Sequence, residues 1–246
     1  MNNAFSSKSE LETISNILRG YIKLPFALET IPGSFMENVL AHVRKGTALN
    51  TYDFVDVINS EKRIGWQVKS TKDTTPVTWK RAKIKDSDNL IGASQQSEKG
   101  LTALGNAIID FCNEHAFESI EKYNLSEIYY SRLVVFESRE VLYFERLLCT
   151  KDNPIIFNKN EFYWKWSTQK NAVRKEQLPA LHGFYKPTGE KWFAWHGLGE
   201  NQLHFSGEKN WWPPENDQSH IRFLFPKADE RLSQDQFMAL LQSVSK

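Results

Sequence analysis

The chain has 246 residues, and its 31 Lys and Arg nearly balance its 30 Asp and Glu, so the net charge is only +1. This balance excludes a histone-like polycation but remains compatible with a local basic groove. Two cysteines cannot build a disulfide framework, the polar residues 1–11 lack the apolar core of a signal peptide, and no run of 18 apolar residues predicts a membrane span. We therefore expect a soluble protein of a reducing compartment.

Apolar periodicity predicts an α/β arrangement in the first part of the chain. The predicted elements are helix 8–23, a helix that follows Ser34 and stops at Gly46, strand 54–58, strand 63–71, helix 97–115, strand 128–136 and strand 141–148. The strands on either side of the turn at 59–62 should form an antiparallel hairpin. The apolar run within 128–136 is typical of a buried parallel strand, whereas the polar residues 72–95 predict irregular structure.

Short aromatic segments separated by turn signals predict a β-rich region later in the chain. The expected strands are 162–166, 181–185, 191–195, 202–205 and 221–225. A helix at 234–244, capped by Ser233, follows them. We predict one domain at 1–150 and a β-rich region at 151–246, with the alternative that the later strands extend the first sheet.

The hairpin carries the most chemical information. Side chains alternate along a strand, so Gln67 and Lys69 should share one face. An acidic residue near the start of the neighbouring strand can lie beside that pair, and the candidates are Asp53 and Asp56. Carboxylate and amide oxygens suit Mg²⁺. A lysine beside them can orient an attacking water and offset charge that develops on phosphorus oxygens.

Asp53, Gln67-Val68-Lys69 and the upstream Glu37 together resemble the motif of the PD-(D/E)xK nuclease superfamily. Within that superfamily the chain is similar to the type II restriction endonucleases. The resemblance spans somewhat under half of the chain. It implies an αβββαβ core with a mixed central sheet flanked by helices, although only two clear strands precede the long helix. Gln67 stands where the motif usually has an acid, and Tyr52 stands where it has Pro.

The resemblance implies roles for four side chains. Asp53 and Gln67 would hold Mg²⁺, with Asp56 as the alternative acid. Lys69 would orient the attacking water, and Glu37 would support the metal or the lysine. Two plainer interpretations remain open: the polar residues are a solvated hairpin face, and Glu37 is only the acid of a capping box begun by Ser34.

A strongly basic stretch overlaps the hairpin and continues beyond it. Residues 62–85 contain eight Lys or Arg and one acid, an excess of seven positive charges (eight minus one) in a chain whose total is +1. Such a patch beside a metal site suits a phosphate backbone, with affinity that depends strongly on salt. The candidate DNA contacts in it are Lys72, Thr75, Trp79, Lys80, Arg81 and Lys83.

A polar loop is expected at 168–177. Lys170, Asn171, Arg174 and Lys175 carry side chains of the kind that read base edges in the major groove. The tryptophans of the later half have three interpretations: a β core, a carbohydrate-binding face, or part of a target-recognition element. The histidines show no metal-ligand spacing.

The resemblance implies a sequence-specific, Mg²⁺-dependent endonuclease of double-stranded DNA that leaves 5′-phosphate and 3′-hydroxyl ends and acts in a bacterial or archaeal cytoplasm. A restriction-modification system would supply a methyltransferase as its functional partner, and a two-fold homodimer would suit a palindromic site. One alternative is a structure-specific repair or recombination nuclease of the same fold. Another is a non-enzymatic Trp-rich binding module.

Overall fold

The structure, a computed structural model, describes residues 5–168, 170–172, 175–214 and 217–244. Five α-helices lie in these residues: α1 (Lys8–Ile22), α2 (Gly33–Val43), α3 (Ser87–Gln96), α4 (Glu98–Tyr123) and α5 (Gln234–Val244). No helix in this part of the chain is both long and apolar enough to cross a membrane.

Thirteen strands lie in the described residues. They are β1 (Thr47–Ala48), β2 (Val57–Asn59), β3 (Ile64–Lys72), β4 (Val77–Arg81), β5 (Glu127–Val135), β6 (Glu140–Thr150), β7 (Phe162–Trp166), β8 (Lys170–Ala172), β9 (Lys175–Gln177), β10 (Leu181–Tyr185), β11 (Lys191–Trp195), β12 (Gln202–Phe205) and β13 (His220–Leu224). The chain is therefore of the mixed α/β class, as the sequence predicts.

The chain divides into two compact units, and the first combines residues from 1–75, 127–147 and 213–246. Its sheet has the strand order β1-β2-β3-β5-β6-β13 and is mixed, because β3 and β5 run parallel while β2 and β13 pair antiparallel with their neighbours. The apolar faces of α1 and α2 pack on this sheet. Core residues include Leu11, Ile14, Leu18, Met36, Leu40, Trp66, Val68 and Leu133.

The second unit combines residues from 76–126 and 148–212. Its five-stranded sheet has the order β4-β12-β11-β10-β7, and β8 pairs with β9 in a separate two-stranded sheet. Helix α4 packs against β7 so closely that a Cβ on Gly105 would lie 2.1 Å from the indole nitrogen of Trp164. A glycine is therefore required at this position of the helix.

Most predicted elements are confirmed, including the β2–β3 hairpin and the buried parallel strand β5. The expectation of irregular structure at 72–95 is wrong, because β4 and α3 lie there. β4 joins the second sheet, so the β3–β5 pairing of the first sheet contains no intervening third strand. β13 extends the first sheet, whereas the four other predicted late strands belong to the second. The predicted segments 1–150 and 151–246 thus do not coincide with the two units.

Candidate functional site

The acid nearest to β3 is held by a backbone hydrogen bond. Pairing of β2 with β3 begins at Val57, and the N–H of Asp56 donates to the carbonyl of Trp66 at 2.8 Å. The carboxylate Oδ2 of Asp56 accepts the backbone N–H of Val68 at 2.7 Å. Since that N–H belongs to the peptide joining Gln67 to Val68, the carboxylate is fixed beside the segment that carries Gln67 and Lys69.

The alternation along β3 follows the sequence prediction. Trp66 and Val68 belong to the hydrophobic core under α1 and α2. By strand geometry Gln67 and Lys69 take the opposite direction. Gln67 is buried, whereas Lys69 is half-buried. The interpretation of the hairpin face as solvated is therefore wrong for Gln67.

Glu37 on α2 lies within electrostatic reach of the same place. Burial raises the pKa of Glu37, the carboxylate of Asp56 raises it further, and the ammonium of Lys69 lowers it. These are the effects expected where two carboxylates and one cation converge in a partly desolvated site. The three side chains, with Gln67 beside them, are called the hairpin cluster below.

The expected capping role of Glu37 is wrong. Helix α2 begins at Gly33 with Pro32 as its N-cap, and no side-chain hydrogen bond caps it. Ser34 is the second residue of the helix rather than its cap. Glu37 therefore takes no part in a capping box with Ser34.

The structure separates the two candidate acids. Asp53 lies in the bend at 51–54, next to the fully exposed Tyr52, and the strand expected to start at Phe54 starts three residues later. Placing Asp53 at the start of the strand is therefore wrong. Asp56 directly precedes the first paired residue, Val57, and its carboxylate contacts the backbone of β3.

The hairpin cluster offers oxygen donors of the kind that Mg²⁺ prefers: two carboxylates and the amide of Gln67. Among the described residues, no group of three or more His, Cys, Asp or Glu side chains could hold a metal ion. The fixed carboxylate of Asp56 and the raised pKa of Glu37 fit a divalent cation that would neutralise both groups.

A buried arginine beside Lys69 was missed by the sequence reasoning. Arg132 is the partner of Lys69 in the parallel β3–β5 register and is 1% exposed. Its Nη2 donates to the hydroxyl of Thr71 at 2.8 Å, and its Nη1 donates to the carbonyl of Leu133. Arg132 thus holds the end of β3 that carries Lys69. A charged residue directly before the apolar Leu133, Val134 and Val135 was the available signal.

The predicted DNA contacts in the basic stretch fall into both units. In the first unit Lys72 and Thr75 are exposed. In the second unit Arg81 and Lys83 are exposed as well. Lys80 is half-buried. Its ammonium lies near Cys112, where it lowers the pKa of a thiol whose pKa is raised by burial.

The assignment of Trp79 as a DNA contact is wrong for this structure. Its side chain is only 2% exposed, and its ring packs against Phe157 at 5.3 Å and Phe205 at 5.1 Å. The same aromatic core contains Trp164, Trp192, Trp195 and Trp211, each at most 8% exposed. For these buried tryptophans the β-core interpretation is therefore confirmed, and their rings form no exposed carbohydrate-binding face. Trp166 and Trp212 are half-buried.

The predicted base-reading loop is a hairpin. Lys170 and Asn171 lie on β8, and Lys175 lies on β9, with Asn171 opposite Glu176 in the register. The remaining candidate, Arg174, lies outside the described residues. The expectation of an irregular loop at 168–177 is therefore wrong, while the reading of base edges stays a prediction.

His196 and His204 are neighbours in the second unit, with ring centroids 5.2 Å apart. Burial lowers the pKa of both imidazoles. They belong to no metal-holding group among the described residues.

Comparison of the chain with models of known families, with curated proteins and with solved structures found no match.

Proposed function

We propose that the chain is a Mg²⁺-dependent DNA endonuclease of the PD-(D/E)xK type, in which Asp56 rather than Asp53 is the acid of the motif. One observation carries the proposal. The Asp56 carboxylate is hydrogen-bonded to the Val68 N–H between Gln67 and Lys69, and Glu37 interacts electrostatically with Asp56 and Lys69. The site thus contains an upstream Glu, an acid and a Gln-x-Lys, which is the set that the motif requires.

The side chains divide the work between binding and positioning. Asp56, Gln67 and Glu37 would hold the cation. When bound, Mg²⁺ would supply Lewis-acid stabilisation of the phosphate and lower the pKa of a water. Lys69 is half-buried and its ammonium interacts electrostatically with Glu37, so in this proposal it donates to the attacking water and orients it. Its positive charge also offsets charge that develops on the phosphorus oxygens.

Arg132 is a positioning residue in this proposal. It lies beside Lys69 in the register and is tied to Thr71 two residues further along β3. Because a displacement of about 1 Å at a reacting group can cost 100-fold in rate, fixing this strand end contributes to catalysis without touching the substrate.

Within this class we favour a type II restriction enzyme over a repair or recombination nuclease. The large second unit, with the β8–β9 hairpin and the exposed Arg81 and Lys83, offers surface beyond what cleavage needs. A sequence-reading role for that surface would imply a cognate methyltransferase, a bacterial or archaeal cytoplasmic setting and a two-fold homodimer on double-stranded DNA.

The test is cleavage of unmethylated phage DNA with Mg²⁺ by the purified chain. The matched pair of variants is Lys69→Met, in the hairpin cluster, and Lys62→Met, at the exposed turn before β3. Discrete bands from wild type and Lys62→Met, lost with EDTA and in Lys69→Met, would support a sequence-specific nuclease with this site. A smear, or cutting of branched DNA alone, would favour the repair nuclease.

No cutting of DNA from several differently modified hosts, with either Mg²⁺ or Mn²⁺, would overturn the proposal. In that case a non-enzymatic binding role for the second unit would become the better explanation.

A further inference from the structure

A pocket of about 570 Å³ lies at the β13 edge of the first sheet, the edge farthest from β1 and β2. All its walls belong to the first unit: the later half of α1, the turn between β5 and β6, and the segment after β13. Four basic side chains line it, namely Arg19, Lys23, Arg139 and Lys227. We call it the basic pocket.

Two of these cations are fixed by the backbone. The Nε of Arg19 donates to the carbonyl of Leu224 at 3.3 Å, and Nη1 of Arg139 donates to the carbonyl of Phe225 at 3.0 Å. The two guanidinium groups, one from α1 and one from the β5–β6 turn, thus donate to the carbonyls of two consecutive residues. A guanidinium has five N–H donors in a planar fork, so each keeps several for a phosphate oxygen.

The charge of the basic pocket is not neutralised by acids. Among the described residues none of the four cations forms an ion pair. The one acid of the lining, Glu230, instead accepts the backbone N–H of Lys227 at 2.5 Å. By contrast Arg222 on β13 is paired with Glu140 at 2.6 Å.

The backbone of Arg139, a residue of the basic-pocket lining, has an unusual conformation. Its φ of 67° lies in the left-handed region. Glycine and asparagine adopt that region more readily than a long side chain does. Arg139 holds a turn position that disfavours it, and its carbonyl accepts the N–H of Phe225 at 2.9 Å. The turn that supplies Arg139 to the lining of the basic pocket is thus tied to the segment that follows β13.

We propose that the basic pocket binds a phosphate group, carried either by a DNA backbone or by a free phosphorylated small molecule. Four cations and one acid give it a net charge of +3 (four minus one). Its volume lies in the range of about 300–1,000 Å³ that is usual for small-ligand sites. It is separated from β3 by three strand spacings, or about 14 Å, so it is distinct from the hairpin cluster. The proposal does not rest on the nuclease activity.

The test compares three variants of the full chain: two that alter the basic pocket and one control that alters charge elsewhere. The pocket variant is Lys23→Gln with Lys227→Gln, both exposed. The control, Lys8→Gln with Lys209→Gln, changes the net charge equally at exposed positions outside the basic pocket and the hairpin cluster. Arg139→Asn is a further pocket variant, since asparagine suits the left-handed backbone and keeps the turn.

One arm is an NMR titration with inorganic phosphate, with chloride at equal ionic strength as the control. It follows the backbone amides of residue 139 and of Phe225. The other arm measures the affinity of a short duplex in EDTA at several salt concentrations. We expect the pocket variants to bind roughly three- to tenfold more weakly than the control in at least one arm.

If the pocket variants lose affinity only for the duplex, the ligand is a DNA phosphate. The slope of log affinity against log salt should then be reduced by about one for each lost contact. A loss in the phosphate titration alone identifies a free phosphorylated compound. Pocket and control variants that behave alike in both arms would overturn the proposal, whatever the outcome of the cleavage assay.

Discussion

Replacing Trp79 with alanine should destabilise the second unit strongly and leave DNA affinity unchanged wherever the protein is folded. The indole is 2% exposed and packs on Phe157, Phe205 and Trp211. Truncating such a buried aromatic costs about 3–5 kcal/mol, because transfer and cavity terms add. At about 2–4 °C per kcal/mol, the thermal midpoint should fall by roughly 6–20 °C. Trp79→Phe keeps most of the packing and should lose far less.

The assay combines thermal unfolding, followed by circular dichroism, with duplex affinity measured well below both midpoints. If Trp79 instead stacked on a base, its loss would weaken binding by about 1–3 kcal/mol, or roughly 5- to 150-fold, with little change in stability. A near-wild-type midpoint together with weakened binding would refute the assignment of Trp79 to the core.

Three further outcomes follow from the structure. Glu37→Gln should abolish cleavage, because it removes a proposed ligand of the cation. It should also stabilise the fold at neutral pH, because the raised pKa of Glu37 means that its ionised form is disfavoured on folding. Urea titrations should show this gain fading as pH falls to the ordinary value of 4.5, and a gain independent of pH would contradict the stated cause. Arg44→Met should cost about 3–5 kcal/mol, because it strands the buried carboxylate of Glu145, 3.6 Å from the guanidinium. Arg44→Met combined with Glu145→Gln should recover part of that loss in the same urea titrations, and no recovery would show that packing dominates. Since burial lowers the pKa of His204, the fold should lose stability as pH falls below about 6.5. His204→Gln should flatten that loss in thermal melts, and an unchanged pH dependence would place its cause elsewhere.

Elements with a clear apolar period were predictable from the sequence. Helix α1 has apolar residues at helical spacing and a serine cap, and β5 ends in the apolar residues Leu133, Val134 and Val135. By contrast α3 has only one buried residue, so no strong period marks it. β4 alternates buried and exposed residues, but its lysine and arginine made it resemble a basic surface segment.

The sheet to which a strand belongs could not be read from local pattern. β4 follows β3 in the chain but pairs with β12, from Val77 opposite Phe205 to Arg81 opposite Gln202. Such pairing over more than 120 residues depends on tertiary packing, which leaves no trace in the period of either strand. For the same reason β13 was grouped with the other late strands although it lies on the first sheet.

The sequence singled out Gln67 and Lys69 with Asp53 or Asp56, but it did not indicate which of the two carboxylates would accept the N–H of Val68. Phe54 and Val55 look like strand residues and are buried, yet they lie before the first paired residue, Val57. Where pairing begins is set by the partner strand, through the bond from the Asp56 N–H to Trp66. That register decides which carboxylate reaches the N–H of Val68.

The most direct test of the account is cleavage by Asp56→Asn compared with Asp53→Asn, under identical Mg²⁺ concentrations. Asparagine at 56 can still accept the Val68 N–H, so the fold should persist while the charge is lost. We expect Asp56→Asn to cleave at least about 100-fold more slowly than wild type. Asp53→Asn should retain nearly full activity. Loss of cleavage in Asp53→Asn with activity retained in Asp56→Asn would contradict the assignment of the hairpin cluster.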